Sequence, residues 1–123
     1  MRVLIVDDEK LARSRLQAIL ADCSTLPELQ ISEAADALQA MRILEQQPID
    51  LIFLDIHMPG ASGLSLAREI RHLPQVPQII FVTAHAEHAL QAFDLDAIDY
   101  LTKPISSARL QKALEKVSRV QQA

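Results

Sequence analysis

Five short apolar segments recur along the chain, and between them apolar residues return every three or four positions. The first, third and fourth segments are continuous apolar runs, which is typical of strands buried on both faces. The second and fifth mix apolar with polar residues and are therefore predicted to be edge strands. The five predicted strands cover residues 2–6, 29–33, 51–54, 78–82 and 97–101.

Helical periodicity follows each predicted strand. The first helix, with Arg13 on its polar face, is predicted to end before a loop closed by Pro27, and the second begins at about Asp36. The fourth covers residues 86–93, and the fifth begins at Ser107 as its cap. The predicted buried stripes are Ala12, Leu16, Ile19 and Leu20; Ala37, Leu38, Met41 and Leu44; Leu66, Ala67, Ile70 and Leu73; and Leu110, Ala113, Leu114, Val117 and Val120.

Strict alternation of strands and helices predicts a doubly wound α/β fold, in which five helices cover both faces of a parallel sheet. The strand order 2-1-3-4-5 places the three apolar strands inside and the two mixed strands at the edges. It also puts the change of winding direction between strands one and three, where such sheets bind ligands at their carboxyl ends.

The composition of the chain argues against several classes of function. The chain of 123 residues, half of them hydrophobic, is long enough for one domain with its own core. A net charge of -4 without a run of Lys or Arg argues against nucleic-acid binding by this domain itself. No apolar run has the length of a membrane span. The single Cys23 cannot form an internal disulfide, so we expect a reducing, cytoplasmic location.

Polar residues stand where four of the predicted strands end. Asp7 and Asp8 follow the first strand, Asp55 the third, Thr83 the fourth and Lys103 the fifth. Because parallel strands end at one edge, we expect these side chains to form a site. Two carboxylates about 5 Å apart repel each other by roughly 3 kcal/mol at an effective dielectric near 20. Mg²⁺, which prefers oxygen ligands, would relieve that repulsion.

The chemistry expected at this edge is phosphoryl transfer to a carboxylate. The sequence offers no base-activated Ser or Cys, and no two histidines have the spacing of a zinc site. Asp55 is therefore the natural nucleophile, and its attack on phosphorus would give an acyl phosphate. Lys103 can hold one phosphoryl oxygen and Thr83 can donate to another.

In this order and spacing the chain resembles the receiver domain of two-component response regulators over essentially its whole length. The matching residues are Asp7-Asp8, Asp55 within Asp-Ile-His-Met-Pro-Gly-Ala-Ser-Gly, Thr83-Ala84 and Lys103-Pro104. The resemblance implies that Asp55 accepts a phosphoryl group from the phosphohistidine of a sensor histidine kinase. It implies a signalling protein that catalyses its own phosphorylation and dephosphorylation, rather than an ordinary enzyme.

The same resemblance assigns further roles at the site. Asp8, Asp55 and the backbone carbonyl of His57 would bind Mg²⁺ directly, with Asp7 acting through water. Lys103–Pro104 is expected to be a cis peptide, which is found in only about 5% of X-Pro bonds in folded proteins. Its effect would be to aim Lys103 into the site.

Signalling in this family passes through Thr83 and Tyr100. The resemblance places the switch, and a homodimer formed on phosphorylation, on the face made by helix four, strand five and helix five. Tyr100 could instead be a half-buried edge-strand tyrosine without such a role. His57 and His85 are predicted to tune the lifetime of the phosphoryl group; the alternative is two solvent-exposed loop histidines.

Residues 83–93 and 97–104 resemble more particularly the LytR/AlgR branch, whose members usually carry a C-terminal LytTR DNA-binding domain. We therefore predict a receiver domain over residues 1–120 and the start of a linker over residues 121–123. DNA would be bound only through the further domain, and no membrane is expected as a partner. The sequence does not choose between a fragment of such a regulator and a stand-alone receiver.

Three other functions compete with this prediction. A flavodoxin-like carrier would need a phosphate-binding loop rich in Ser, Thr and Gly after strand one, where this chain has Asp-Asp-Glu. A phosphatase with an Asp nucleophile would place a second Asp at position 57, which is His. A degenerate, unphosphorylated receiver that acts as a protein-interaction module remains an alternative.

Overall fold

The computed structural model describes residues 1–23, 28–85, 87 and 89–122, with ten elements in strict alternation. All strand pairs are parallel, in the order β2-β1-β3-β4-β5, which confirms the predicted fold and topology. The elements are β1 (Arg2–Val6), α1 (Lys10–Ala21), β2 (Gln30–Ala34), α2 (Ala37–Gln46), β3 (Leu51–Leu54), α3 (Gly63–Ile70), β4 (Gln78–Thr83), α4 (Ala89–Asp94), β5 (Asp99–Thr102) and α5 (Ser107–Gln122).

The sheet separates two apolar layers because side chains of successive strand residues point to opposite faces. One layer packs α2, α3 and α4 against the sheet, and the other packs α1 and α5 against it. The first contains Leu4, Val6, Ile52, Leu54, Phe81, Ala40, Leu66, Ile70 and Ala92. The second contains Val3, Ile5, Phe53, Val82, Leu101, Leu16, Leu20, Leu110, Leu114 and Val117.

The register of the sheet aligns the strand ends that carry the polar residues. Val6 pairs with Leu54, so the residues that follow them, Asp7 and Asp55, leave neighbouring strands at the same level. On the other side, Thr83 pairs with Thr102, directly before Lys103. The expected meeting of four strand ends at one edge is therefore present.

Several details of the helices differ from prediction. The hydroxyl of Ser106, not Ser107, caps α5 by accepting the backbone N–H of Arg109 at 3.1 Å. Leu38 and Val120 were predicted to be buried but are 63% and 51% exposed. In α2 the fully buried position is Ala40, three residues after Ala37 and thus on the same side of the helix.

Strand boundaries differ from prediction by one or two residues in β2, β4 and β5. The structure begins β2 and β5 at Gln30 and Asp99, and β4 extends to Thr83. Pro27 and the predicted start of the fourth helix at position 86 lie outside the described residues. The last helix continues to Gln122, and the assignment of residues 121–123 to a linker stays a prediction. Among the described helices, none is long and apolar enough to cross a bilayer.

Candidate functional site

Three carboxylates meet where β1 and β3 end side by side. Asp7 and Asp8 follow β1 and Asp55 follows β3, and one ligand atom from each lies within 4.8 Å of the other two. Asp7 and Asp55 are each 5% exposed, whereas Asp8 is open to solvent. An all-oxygen donor set with one solvent-facing member fits a hard divalent cation such as Mg²⁺, which keeps part of its water shell.

Lys103, just after β5, brings positive charge to this cluster. Its ammonium lies 2.7 Å from Oδ2 of Asp7 and 3.3 Å from Oδ2 of Asp55. Burial lowers the pKa of Lys103, but the two carboxylates outweigh burial and raise the pKa overall, so the ammonium stays charged. The Lys103–Pro104 peptide bond is cis, as expected.

Asp55 is a carboxylate in an environment that disfavours its charge. Burial raises its pKa above the ordinary value, and the neighbouring Asp7 adds to the increase. Lys103 and the backbone N–H of His57, 3.3 Å from Oδ1, act in the opposite direction without cancelling it. A positive charge bound nearby would therefore stabilise the ionised form of Asp55.

Arg13 holds the backbone of Asp7 in place from α1. Its Nη1 donates to the Asp7 carbonyl at 2.6 Å, and its Nε donates to Glu33 at 3.0 Å. The side chain lies on the predicted polar face of α1 but is only 14% exposed. The cause is the length of Arg, whose guanidinium reaches back from the first turns of α1 to the end of β1.

Gly63 begins α3 against the backbone of Asp55. A Cβ at this position would lie 2.0 Å from the Asp55 carbonyl oxygen and 2.8 Å from the carbonyl carbon. The Gly63 N–H also donates to the carbonyl of Ile56 at 2.8 Å. Gly63 is the last residue of the motif that begins at Asp55, and its contact with the Asp55 backbone was not predicted. A usable signal was present, because one of the two glycines in the chain stands at the start of a predicted helix.

Two histidines lie at the rim of the acidic cluster, one on the loop after β3 and one after β4. The rings of His57 and His85 have centroids 4.1 Å apart. Nδ1 of His85 lies 3.3 Å from Oε1 of Glu87. All three side chains are exposed.

A comparison with known protein families identifies the family of this chain. The family described as the response regulator receiver domain matches residues 3–115. The chain belongs to this family. The resemblance that the sequence carried is thereby confirmed, and the chain is a signalling domain of the response-regulator class.

Curated relatives place this receiver domain beside the LytT and LytR proteins, which agrees with the predicted branch. It is 42% identical over 120 residues to the sensory transduction protein LytT of Bacillus subtilis, a match covering 98% of this chain and 49% of LytT. It is 44% identical over 117 residues to LytR of Staphylococcus haemolyticus, covering 95% and 45%. The chain thus spans about half the length of these relatives.

Solved structures share the same architecture. The response regulatory domain of protein mrkE from Klebsiella pneumoniae is 36% identical, with a TM-score of 0.89 and complete coverage of both chains. The response regulator TrrA from Thermotoga maritima, solved in complex with Mg²⁺ and BeF, is 31% identical, with a TM-score of 0.80 over 94% of this chain and 97% of that chain.

In this receiver domain the hydroxyls of the two predicted switch residues both contact the backbone of His85. The fully buried Thr83 accepts the His85 N–H at 3.3 Å through Oγ1. The hydroxyl of Tyr100 donates to the His85 carbonyl. The ring of Tyr100 lies 6.5 Å from that of Phe81 in the core. One residue of the loop after β4 therefore connects Thr83 to Tyr100.

A second buried aspartate of the receiver domain, Asp99 in β5, was not predicted to have partners. Its carboxylate accepts hydrogen bonds from Arg109 at 2.6 and 2.9 Å and from Lys116 at 3.0 Å, both on α5. Burial acts to raise the pKa of Asp99, but these bonds and that of the Tyr100 N–H lower it to about 2. The mixed apolar and polar pattern of β5 was interpreted only as typical of an edge strand. Its charged residue is the acid of this buried ion pair.

Proposed function

We propose that Asp55 is the phosphoacceptor of this receiver domain and takes a phosphoryl group from the phosphohistidine of a sensor histidine kinase. The observation that carries the proposal is the buried Asp55 carboxylate, which lies within 4.8 Å of two further acids and 3.3 Å from the ammonium of Lys103. A carboxylate in this position combines a nucleophile with partners suited to a phosphate.

The proposed reaction is an in-line displacement. An Oδ atom of Asp55 attacks phosphorus, the P–N bond to the kinase imidazole breaks, and the electron pair of that bond leaves with the imidazole nitrogen. Lys103 and Thr83 bind oxygens of the transferred group. Mg²⁺, held by Asp8, Asp55 and the His57 carbonyl with Asp7 acting through water, would neutralise charge on those oxygens when bound.

Incubation with acetyl phosphate and Mg²⁺, followed by intact-mass measurement, tests the proposal. We expect the wild type to gain the mass of one phosphoryl group, and Asp55→Asn to gain none. Glu115→Gln, an exposed acid of α5, is the matched control and should gain the same mass as the wild type. No gain in the wild type would favour the degenerate interaction module.

The switch is proposed to run through the backbone of His85. When the Thr83 hydroxyl turns toward a phosphoryl oxygen, it gives up the His85 N–H, and the Tyr100 hydroxyl loses its fixed acceptor. The Tyr100 ring can then move into the space that Thr83 leaves. Thr83→Ala should therefore accept phosphate at Asp55 but show no phosphorylation-dependent change in Tyr100 fluorescence, which is specific because Tyr100 is the single tyrosine and Trp is absent.

His57 and His85 are proposed to tune how long Asp55 stays phosphorylated, because their rings contact each other and their backbone N–H groups donate to Asp55 and Thr83. His57→Ala and His85→Ala should change the rate of dephosphorylation. His72→Ala, which removes an exposed histidine outside the site, should not. Unchanged rates in the first two variants would leave the histidines as loop residues only.

The wider role is proposed from the relatives. As part of a LytTR-type regulator in the cytoplasm, the domain would control transcription through a C-terminal DNA-binding domain beyond residues 121–123. Phosphorylation would favour a homodimer through α4, β5 and α5. Phe93 on α4 and Val120 on α5 are exposed apolar side chains on two of these elements. Sedimentation of phosphorylated wild type and Phe93→Ala tests the dimer, which the substitution should weaken.

A further inference from the structure

Two imidazoles and a carboxylate come together outside the acidic cluster. His57 lies on the loop after β3, and His85 and Glu87 lie on the loop after β4. One ligand atom from each of the three side chains lies within 4.8 Å of the other two. The 27 residues between the histidines hide this proximity in the sequence, and the neighbouring positions of β3 and β4 in the sheet produce it.

We propose that His57, His85 and Glu87 form a binding site for a borderline transition-metal ion, with Zn²⁺ as its representative. Imidazole nitrogen is a ligand that Zn²⁺ takes readily and Mg²⁺ does not, so the site differs in chemistry from the carboxylate cluster beside it. Two histidines and one carboxylate are a recurring zinc ligand set that leaves a fourth position open to water.

One of the three ligand–ligand distances already has the value expected for a bound ion. With bonds of about 2.0 to 2.1 Å, two ligand atoms of a tetrahedral zinc ion lie roughly 3.3 Å apart. Nδ1 of His85 and Oε1 of Glu87 lie 3.3 Å apart. The third atom, from His57, closes on this pair by rotation of exposed side chains, which requires no change in the core.

Charge and access also favour a cation here. The side chains of His85 and Glu87 are 49% and 64% exposed, so an ion can enter from solvent. Asp55 stands two residues before His57, and its acidic cluster adds negative potential to the same rim. A bound ion would join the loops after β3 and β4, and the proposal does not depend on phosphorylation of Asp55.

Calorimetric titration of the full chain with Zn²⁺, in excess Mg²⁺ and without a phosphoryl donor, tests the site. We expect one equivalent to bind. His57→Ala, His85→Ala and Glu87→Gln should each weaken binding at least about tenfold, since even outer-shell substitutions cost 10- to 100-fold. The matched control His72→Ala should bind as the wild type does.

Two further variants locate the ion. Asp8→Asn should retain Zn²⁺ binding, since Asp8 belongs to the carboxylate cluster, and Cys23→Ser should retain it because no thiolate is involved. Equal affinity in the wild type and in His57→Ala, or loss of binding in Asp8→Asn or Cys23→Ser alone, would overturn the proposal. The histidines and Glu87 would then be a ring contact and a surface ion pair.

Discussion

Asp55 and Asp99 have the same side chain and the same 5% exposure, yet their environments are opposite. In the described part of the chain, Asp55 belongs to a group of three acids that shares one ammonium, whereas Asp99 faces a guanidinium and an ammonium. The pKa of Asp55 is raised and that of Asp99 is lowered to about 2. Burial alone therefore does not determine the state of an acid; the balance of charge around it does.

The difference separates a functional site from a structural one. The charges around Asp99 are satisfied within the protein, and the bonds tie β5 to α5, which are two elements of the proposed dimer face. The cluster around Asp55 has more negative than positive charge, so a bound cation would stabilise it. Local electrostatic cost of this kind is typical of sites that gain stability from a ligand.

Gly63→Ala should have the largest effect, because it disturbs the backbone that places Asp55. The new Cβ would overlap the Asp55 carbonyl, and either α3 or the end of β3 must shift. We expect the free energy of unfolding in urea to fall by about 3 kcal/mol. Ser65→Ala, in the first turn of the same helix, is the control and should change it by less than about 0.5 kcal/mol. Equal stability of Gly63→Ala and wild type would contradict the close approach.

Asp99→Asn tests the other side of the comparison. It removes the negative charge that pairs with Arg109 and Lys116, whose side chains are 42% and 43% exposed and can regain water. We therefore expect a loss of about 2 kcal/mol, below the usual cost of breaking a fully buried pair. Glu115→Gln on α5 should be nearly neutral in the same urea experiment. A neutral Asp99→Asn would show that the ion pairs do not stabilise the fold.

The free energy of unfolding should depend on pH through both Asp99 and Asp55, and the two contributions should have opposite signs. Because folding lowers the pKa of Asp99 from 3.8 to about 2, its contribution is present above pH 4 and is lost as pH falls toward 2, by about 1 to 2 kcal/mol. Because folding raises the pKa of Asp55, the folded state binds its proton first, and acidification from neutral pH stabilises the protein by a smaller amount.

Urea unfolding of three proteins across this pH range separates the two contributions. The Asp55→Asn variant should lose the gain on mild acidification but keep the loss at low pH, and Asp99→Asn should behave in the reverse way. Identical pH profiles for the wild type and both variants would show that neither aspartate has a perturbed pKa in the folded state.

The sequence was sufficient for the strands, their order and the meeting of three acids and Lys103 at one edge, because a buried parallel strand is an apolar run and its end is marked by a polar residue. It was insufficient for contacts made by long side chains across the fold. Arg13 reaches Asp7 from the predicted polar face of α1, and Arg109 and Lys116 reach Asp99 from α5. Periodicity records which side of a helix is apolar, not how far a polar side chain extends.

The sequence did not predict the exact cap or buried residue where neighbouring residues have similar chemistry. Ser106 and Ser107 are equally good caps by type, and the turn before α5 selects the first of them. In α2 the larger Leu38 was preferred over Ala40, although the alanine lies on the buried side. The role of Gly63 depends on a backbone contact with Asp55, and the one sequence signal for it is that the chain has only two glycines.

The central claim is that Asp7, Asp8 and Asp55 together carry more negative charge than Lys103 balances, and that a divalent cation relieves this. The most direct measurement is the free energy of unfolding of the wild type and Asp8→Asn, with and without Mg²⁺. At a Mg²⁺ concentration one hundred times its Kd, the wild type should gain about 2.7 kcal/mol, and Asp8→Asn much less. An equal gain in both proteins, or none in the wild type, would contradict the account.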